Sequence, residues 1–465
     1  MRRRVVLLAA LVSACLSMRA DTPLPVEFHG YFRGGSGVSS AGGELAAFWL
    51  PGAATKYRFG NEAEDYGELE ADAVVWDKDG ARFRICTMAQ FWNPYSAGQN
   101  AETVGTASST RDFDMSQYWV EAKGVLGDSA AFRGADLWIG KRYYNRHHIE
   151  IVDFYTWTNQ GIGGGIENID LGFAKLHYAY IQTDNTSNLN TGPVTQTVNG
   201  QNVVGTHAFR LSDLKTNPGG TLSLGLEFAR ARPYSSASLA GSTPAANPAT
   251  GSGVANANNG VSIYLEHIQS PVLGGDNTLS VGYGTGASTP LNEPGWGSGP
   301  GPDPSLTTAN RTLRVVDALT IALDTSFAMQ AVGTYQNSRD ASGSRTIWTS
   351  LGARPMWFVT RHFSLVLEAG LDRVKYADDY APSGTVSAAA GDTGHLLKTT
   401  LGVVWRPEPK FLSVPQLRLF VTNASWNQVA NQAGLDAAGA ETFANGTFAG
   451  RTSGTNYGVQ AEVWW

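Results

Sequence analysis

Three aromatic residues, Tyr31, Tyr66 and Trp464, fall where alternation along the chain puts water-facing side chains. In "NYGVQAEVWW" (456–465), strand parity sets Tyr457, Val459, Ala461, Val463 and Trp465 on one side and Gly458, Gln460, Glu462 and Trp464 on the other. Tyr31 shares its face with Glu27, His29 and Arg33, and Tyr66 shares its face with Lys56, Arg58, Glu62, Glu64 and Glu68. A flat ring in water is costly unless something wet and flat uses it. A pyranose does so: its C–H face stacks on an aromatic ring, and its hydroxyls bond to polar groups around the rim. Lumen filling or an interfacial girdle would explain any one of these rings, but three together on a wet face favour a stacking surface. Closing a barrel would pair the first strand with the last, making Tyr31 and Trp464 neighbours beside an ionic track of Arg33, Arg58 and Glu68.

The elements that must carry these residues follow from the same alternation. In "VEFHGYFRG" the residues Val26, Phe28 and Phe32 form the apolar side. In "KYRFGNEAEDYGELEADA" (56–73) one side carries Tyr57, Phe59, Ala63, Leu69, Ala71 and Ala73, which reads as one strand with those residues on the apolar face. The pattern returns in "TLSLGLEFAR", "VSIYLEH", "FSLVLEAGLD" and "QLRLFVT". A soluble sandwich would give such alternation as well, so the connections decide. Short links such as "WFVTRH" (357–362) and "RPEPKFLSVP" (406–415) alternate with long ones, 375–394 and 427–450, as turns and external loops do in transmembrane barrels. Two further long connections, 232–260 and 286–310, are rich in Gly, Pro, Ser and Asn. The expected fold is all-β: a closed antiparallel transmembrane barrel of about 16 to 18 strands.

The 465 residues, with net charge −6, 54 glycines and 16% charged residues, suit one large barrel. "RRR" at 2–4 followed by an apolar run from Val5 to Leu16 reads as an export signal, too short to span a membrane as a helix. We therefore expect residues 1–20 to be a signal peptide, cut after Ala20, and residues 21–465 to be a single barrel domain. The alternative is cleavage at "VSAC" (12–15), leaving Cys15 lipidated. The mature chain then keeps Cys86, which excludes an intramolecular disulfide and a cysteine-based metal site. No mature segment approaches 18 consecutive apolar residues, excluding a helical membrane protein.

Seven segments in order, "VEFHGYFRGG", "KYRFGNEAEDYGEL", "GKRYYNRHHIEIVDFYTW", "GIENIDLGFAKL", "NPGGTLSLGLEFARA", "LGARPMW" and "YGVQAEVWW", resemble the maltoporins of Gram-negative outer membranes from about residue 26 to 465. The resemblance implies an antiparallel barrel of about eighteen strands, a homotrimer, and facilitated diffusion of maltose and maltodextrins. Tyr31, Tyr66 and Trp464 match the family's aromatic slide, and Tyr155 matches the tyrosine that narrows its channel. Arg33, Arg58, Glu68, Arg146 and Asp153 match residues that hydrogen-bond sugar hydroxyls. The implied partners are maltooligosaccharides, outer-membrane lipids and a periplasmic sugar-binding protein, with no nucleic acid.

The chain departs from the family pattern in places. A tryptophan donated by the neighbouring subunit has no aligned counterpart, and Trp92 and Tyr95 are the nearby candidates. Two more slide aromatics fall near Leu412, where Phe411 is a candidate substitute, and near Gly275 or Asp276. Ser116 stands where the family has an arginine, and the carboxylate and histidine of the family are exchanged here as His148 and Glu150. Sucrose-type relatives replace the constricting tyrosine and arginine; this chain keeps Tyr155 and Arg146.

Other functions fit less well. Glu68 and Asp153 are carboxylates beside the expected sugar path, as a glycosidase requires, but pairing with Arg33, Arg58 or Arg146 explains them at least as well. "GIGGG" (161–165) lacks the lysine and the strand-to-helix context of a nucleotide-binding loop. Neighbouring His147 and His148 point opposite ways in a strand and make a poor metal pair, so neither a metal nor a cofactor is expected. The alternatives that stay open are a general diffusion porin and a porin for another oligosaccharide.

Overall fold

The computed structural model describes residues 26–95, 112–184, 203–231, 258–291, 302–303, 306–323, 325–381, 386–435, 439 and 443–465. The expected signal segment, Cys15, residues 232–257 of one Gly- and Pro-rich connection and residues 292–301 and 304–305 of the other lie outside these residues. Eighteen strands form one sheet: β1 (Val26–Ser39), β2 (Glu64–Lys78), β3 (Ala81–Pro94), β4 (Asp112–Lys123), β5 (Asp136–Ile149), β6 (Phe154–Asp170), β7 (Lys175–Asp184), β8 (Val203–Lys215) and β9 (Gly220–Ala231), then β10 (Gly260–Val272), β11 (Gly275–Gly286), β12 (Arg311–Leu323), β13 (Phe327–Arg339), β14 (Arg345–Thr360), β15 (Phe363–Lys375), β16 (Thr393–Trp405), β17 (Gln416–Trp426) and β18 (Ser453–Trp464). Every strand pairs antiparallel with its sequence neighbours, and β1 pairs with both β2 and β18, so the sheet closes into a barrel. Closure leaves no edge with unpaired backbone groups, which is what a strand needs to cross a bilayer. Among the described residues no helix is long and apolar enough to cross a membrane.

The two faces separate as the alternation requires. Along β17 Gln416, Arg418, Phe420, Thr422 and Ala424 point inward, and Leu417, Leu419 and Val421 point outward. Outward leucines and isoleucines such as Leu69, Ile139, Leu351 and Leu401 are more than 60% exposed, the surface that lipid covers. At the short-turn end, aromatics pair across neighbouring strands: Phe327 with Trp357 (5.8 Å between ring centroids) and Phe363 with Trp405 (5.7 Å). The exposed Trp465 follows β18 at the same rim, its ring lying where a Cβ on Gly30 would be. These rings form an interfacial girdle. Two of the two-residue turns, Asp79–Gly80 and Leu273–Gly274, place both residues at positive φ (55° and 80°, 48° and 78°), as tight hairpins favour.

One expected strand is shorter than its alternation suggested. Residues 56–63 are not strand: β2 begins at Glu64, and the chain from Leu45 to Ala63 folds into the barrel. Tyr57 and Phe59, expected on the apolar outer face, are each 1% exposed inside it. The reason lies far away in sequence. Gly352, Gly370 and Gly402 leave the inner wall of β14, β15 and β16 without side chains, and a Cβ on any of them would overlap the Tyr57 or Phe59 ring. The segment's backbone, having no strand partner, is satisfied by wall side chains. Glu368 accepts from Phe59 N (3.0 Å), while Lys398 Nζ and Thr400 both donate to Phe59 O (2.9 Å each).

A second inward element comes from the tip of the β5–β6 hairpin. A single 3-10 turn, Glu150–Val152, ends at Asp153, whose left-handed φ of 49° reverses the chain into β6. Ile151, Val152 and Phe154 are buried with Val316, Ala318 and Val332 of β12 and β13, across the lumen from β5 and β6. Arg58 N donates to Ile151 O (3.0 Å), so the two inward segments meet and narrow the passage.

Candidate functional site

Barrel closure sets the centre of the site. Tyr31 and Trp464 are direct register partners across the β1–β18 seam, and their rings stack at 6.4 Å and 14°. On the other side of β1, the Tyr66 ring lies 5.8 Å from that of Tyr31. Three strands thus carry one continuous run of rings along the lumen wall, and all three side chains are partly open.

Beneath this run lie charges that hold it. Arg58 Nη2 donates to the Tyr31 hydroxyl (2.8 Å) and to Glu462 (2.6 Å), its Nε to Glu62 (2.9 Å) and its Nη1 to Glu150 (3.0 Å). Tyr31 donates in turn to Glu462 (2.5 Å), which Arg418 also binds. Arg33 lies 5.3 Å from the Tyr66 ring centre and reaches Glu64 (2.5 Å), Glu62 (2.9 Å) and Asp153 (3.3 Å). Burial works against the Asp153 charge, but Arg58, the His148 hydrogen bond and Arg33 outweigh it and hold the carboxyl well below its usual range. Arg33 and Arg58 are only 8% and 2% exposed, so they support the rings from behind.

The remaining expected residues close the site on the β5–β6 side. The Tyr66 hydroxyl donates to Glu68 (2.5 Å) and lies 3.3 Å from Gln90 Oε1, which accepts from Tyr143 (2.9 Å). Arg146 sits against two rings, 3.6 Å from the centre of Tyr143 and 4.4 Å from that of Tyr155. Its Nε donates to no partner among the described residues, and its side chain is partly open. Glu68, Arg146, Asp153 and Tyr155 therefore border the passage that the rings line.

All nine expected residues belong to one connected constellation. Sequence reasoning missed its connectors: Gln90, Tyr143, Glu62, Glu64, Glu150 and Glu462. Glu462 carried a usable signal, since it shares Trp464's face two residues away; Gln90 carried none. Of the substitute aromatics, Tyr95 is 2% exposed and bonded to Asp65 (3.3 Å), and Phe411 is 7% exposed in a cluster with Met356 and Phe358. Neither is open to a solute. Trp92 differs: it pairs in register with Tyr66, on the same face, and is 37% exposed.

A closed barrel with an apolar outside, a narrowed polar lumen and aromatic rims is an outer-membrane porin. Its family is the LamB porin family, whose model matches residues 26–465, and the chain belongs to it. Among solved structures it is similar to OmpT of Vibrio cholerae (9% identity over 95% of this chain and 99% of that one, TM-score 0.38). It is also similar to an anion-selective porin from Comamonas acidovorans (10%, 95% and 100%, TM-score 0.40). A third likeness is to OccD3 (OpdP) of Pseudomonas aeruginosa (8%, 95% and 90%, TM-score 0.45). The protein is a porin channel of the Gram-negative outer membrane.

Proposed function

We propose that this channel passes maltose and maltodextrins by facilitated diffusion, guiding linear glucose oligomers along Trp464, Tyr31 and Tyr66. The observation that carries this reading is the unbroken run of three partly open rings across β18, β1 and β2. Contiguous rings give equivalent contacts along which a chain of sugars can move without leaving the wall. Glu68, Arg146 and Asp153 offer donors and acceptors to the hydroxyls, and Tyr155 with Arg146 forms the narrow point. Arg33 and Arg58 act through what they hold, since burial keeps them from the solute.

Trp92 extends the track from within the same chain. This supports a stacking position supplied in cis, where the family's is supplied by a neighbour. Assembly as a homotrimer is the companion reading, drawn from the family resemblance. Burial of Phe411 leaves the short-turn end poor in stacking surface and favours, as the second reading, a shorter or different oligosaccharide. Block of ion current by a panel of maltooligosaccharides tests both: saturable block that strengthens with chain length supports the first, and stronger block by a non-glucose oligosaccharide supports the second.

A further inference from the structure

A second group of chemistry-bearing side chains lies on the lumen wall nearer the short-turn end. His29 of β1 is the register partner of Glu70 on β2, and Glu70 of Met88 on β3; two residues further on, Asp72 pairs with Cys86. A carboxylate oxygen of Glu70, one of Asp72 and the Cys86 sulfur all lie within 4.8 Å of one another.

Each carboxylate is anchored by one oxygen. Gln117 Nε2 donates to Glu70 Oε2 (3.1 Å), and Arg84 Nη1 donates to Asp72 Oδ2 (3.5 Å). The second Asp72 oxygen, Oδ1, accepts no hydrogen bond among the described residues, although Asp72 is only 6% exposed. A buried carboxylate oxygen without a donor is unfavourable, and a second carboxylate beside it adds repulsion. A small cation between them removes both costs.

We propose that Glu70, Asp72 and Cys86 form a binding site for a divalent transition-metal ion of the Zn2+ class. The donor set argues for the ion: magnesium and calcium take oxygen ligands, whereas a thiolate with two carboxylates suits zinc. Three protein ligands leave a fourth position for water from the lumen, which Glu70, partly open, borders. On binding, the Cys86 thiol gives its proton to solvent as the sulfur–metal bond forms; nothing is oxidised or reduced. A single mature cysteine excludes a site built of several thiolates but allows this mixed one. The site is independent of which solute the channel carries.

The test is titration of the purified, folded full-length barrel in detergent with Co2+, then displacement by Zn2+. The expected result is saturable uptake of one ion per chain, with a thiolate-to-Co2+ charge-transfer absorption that Zn2+ abolishes. Cys86→Ala should remove that absorption, and Asp72→Asn and Glu70→Gln should each weaken Zn2+ binding at least about tenfold, with far-ultraviolet circular dichroism unchanged. If one variant does not fold, the other two decide. Absence of saturable uptake by the wild-type barrel, or uptake unaltered in the folded variants, would overturn the proposal.

Discussion

Tyr31 and Trp464 stand 433 positions apart in the chain and are stacked partners in the barrel, 6.4 Å apart and 14° from parallel. Next to Trp464, Trp465 faces the opposite way and lies against Gly30 at the outer rim, its N–H and C=O paired with those of Gly30 (3.1 and 3.2 Å). Neighbouring tryptophans thus have different environments. Replacing Trp464 by Ala should weaken block by maltooligosaccharides roughly three- to tenfold, the scale of one lost aromatic contact. Small-ion conductance should rise slightly. Trp465→Ala should lower the yield of folded protein and leave block unchanged in what folds. Reversal of the two phenotypes in bilayer recordings would contradict the face assignment.

Arg146 and Arg58 should behave differently although both are arginines of one constellation. Arg146→Ala, at a partly open guanidinium, should weaken sugar block by about 1 kcal/mol, roughly fivefold, with unfolding unchanged. Arg58→Ala removes one cation from Glu62, Glu150 and Glu462 at once, leaving them Arg33, Arg354 and Arg418 respectively. The expected cost is about 1–3 kcal/mol of stability, larger than for Arg146→Ala. Denaturant unfolding in detergent separates the two outcomes.

The inward segment explains what the sequence could and could not reveal. Alternation in β1, β17 and β18 was legible because lipid and water impose opposite demands on successive residues. The same alternation over Tyr57, Phe59 and Ala63 mimicked a strand, since an interior of the barrel wall with glycine recesses also accepts every second ring. Those recesses, Gly352, Gly370 and Gly402, lie hundreds of positions away and carry no local sign of what fills them. At the site, parity alone grouped Tyr31, Tyr66 and Trp464, whereas Tyr155, Arg146 and Asp153 needed the family resemblance because they sit beside a hairpin tip without periodicity. Glu70, Asp72 and Cys86 share no local spacing and meet only through strand register.

Gly370→Ala should therefore disturb function from a distance. A Cβ there overlaps the Tyr57 ring, and such overpacking costs about 1–3 kcal/mol. The segment from Leu45 to Ala63 should shift, raising ion conductance and weakening sugar block, because Arg58 no longer seats Tyr31. Gly333→Ala, where the nearest atom is Leu351 Cδ1 at 3.9 Å, is the matched control and should be neutral. Equal behaviour of the two variants would argue against the inward segment as a determinant of the passage.

Lys56, in that segment, gives a dependence on pH. Burial pushes its ammonium down to about 8, despite the opposing attraction of Glu64 and Glu62. The folded value lies below the unfolded one of 10.5, so the unfolded chain binds more protons between them. Stability should therefore rise as pH increases from about 8 towards 10.5, and be flat in this respect well below 8. Comparing unfolding midpoints of wild type and Lys56→Met across that window checks it: the difference between the two should shrink as pH rises, and a constant difference would contradict the assignment.

The central claim is that the lumen recognises sugars through its aromatic run, and single-channel recording with maltohexaose tests it most directly. The account predicts reversible current block that saturates with sugar concentration, and a half-saturating concentration that rises several-fold in Trp464→Ala. Current that falls only in proportion to solution viscosity, without saturation, and alike in wild type and Trp464→Ala, would identify a general diffusion pore and contradict the account.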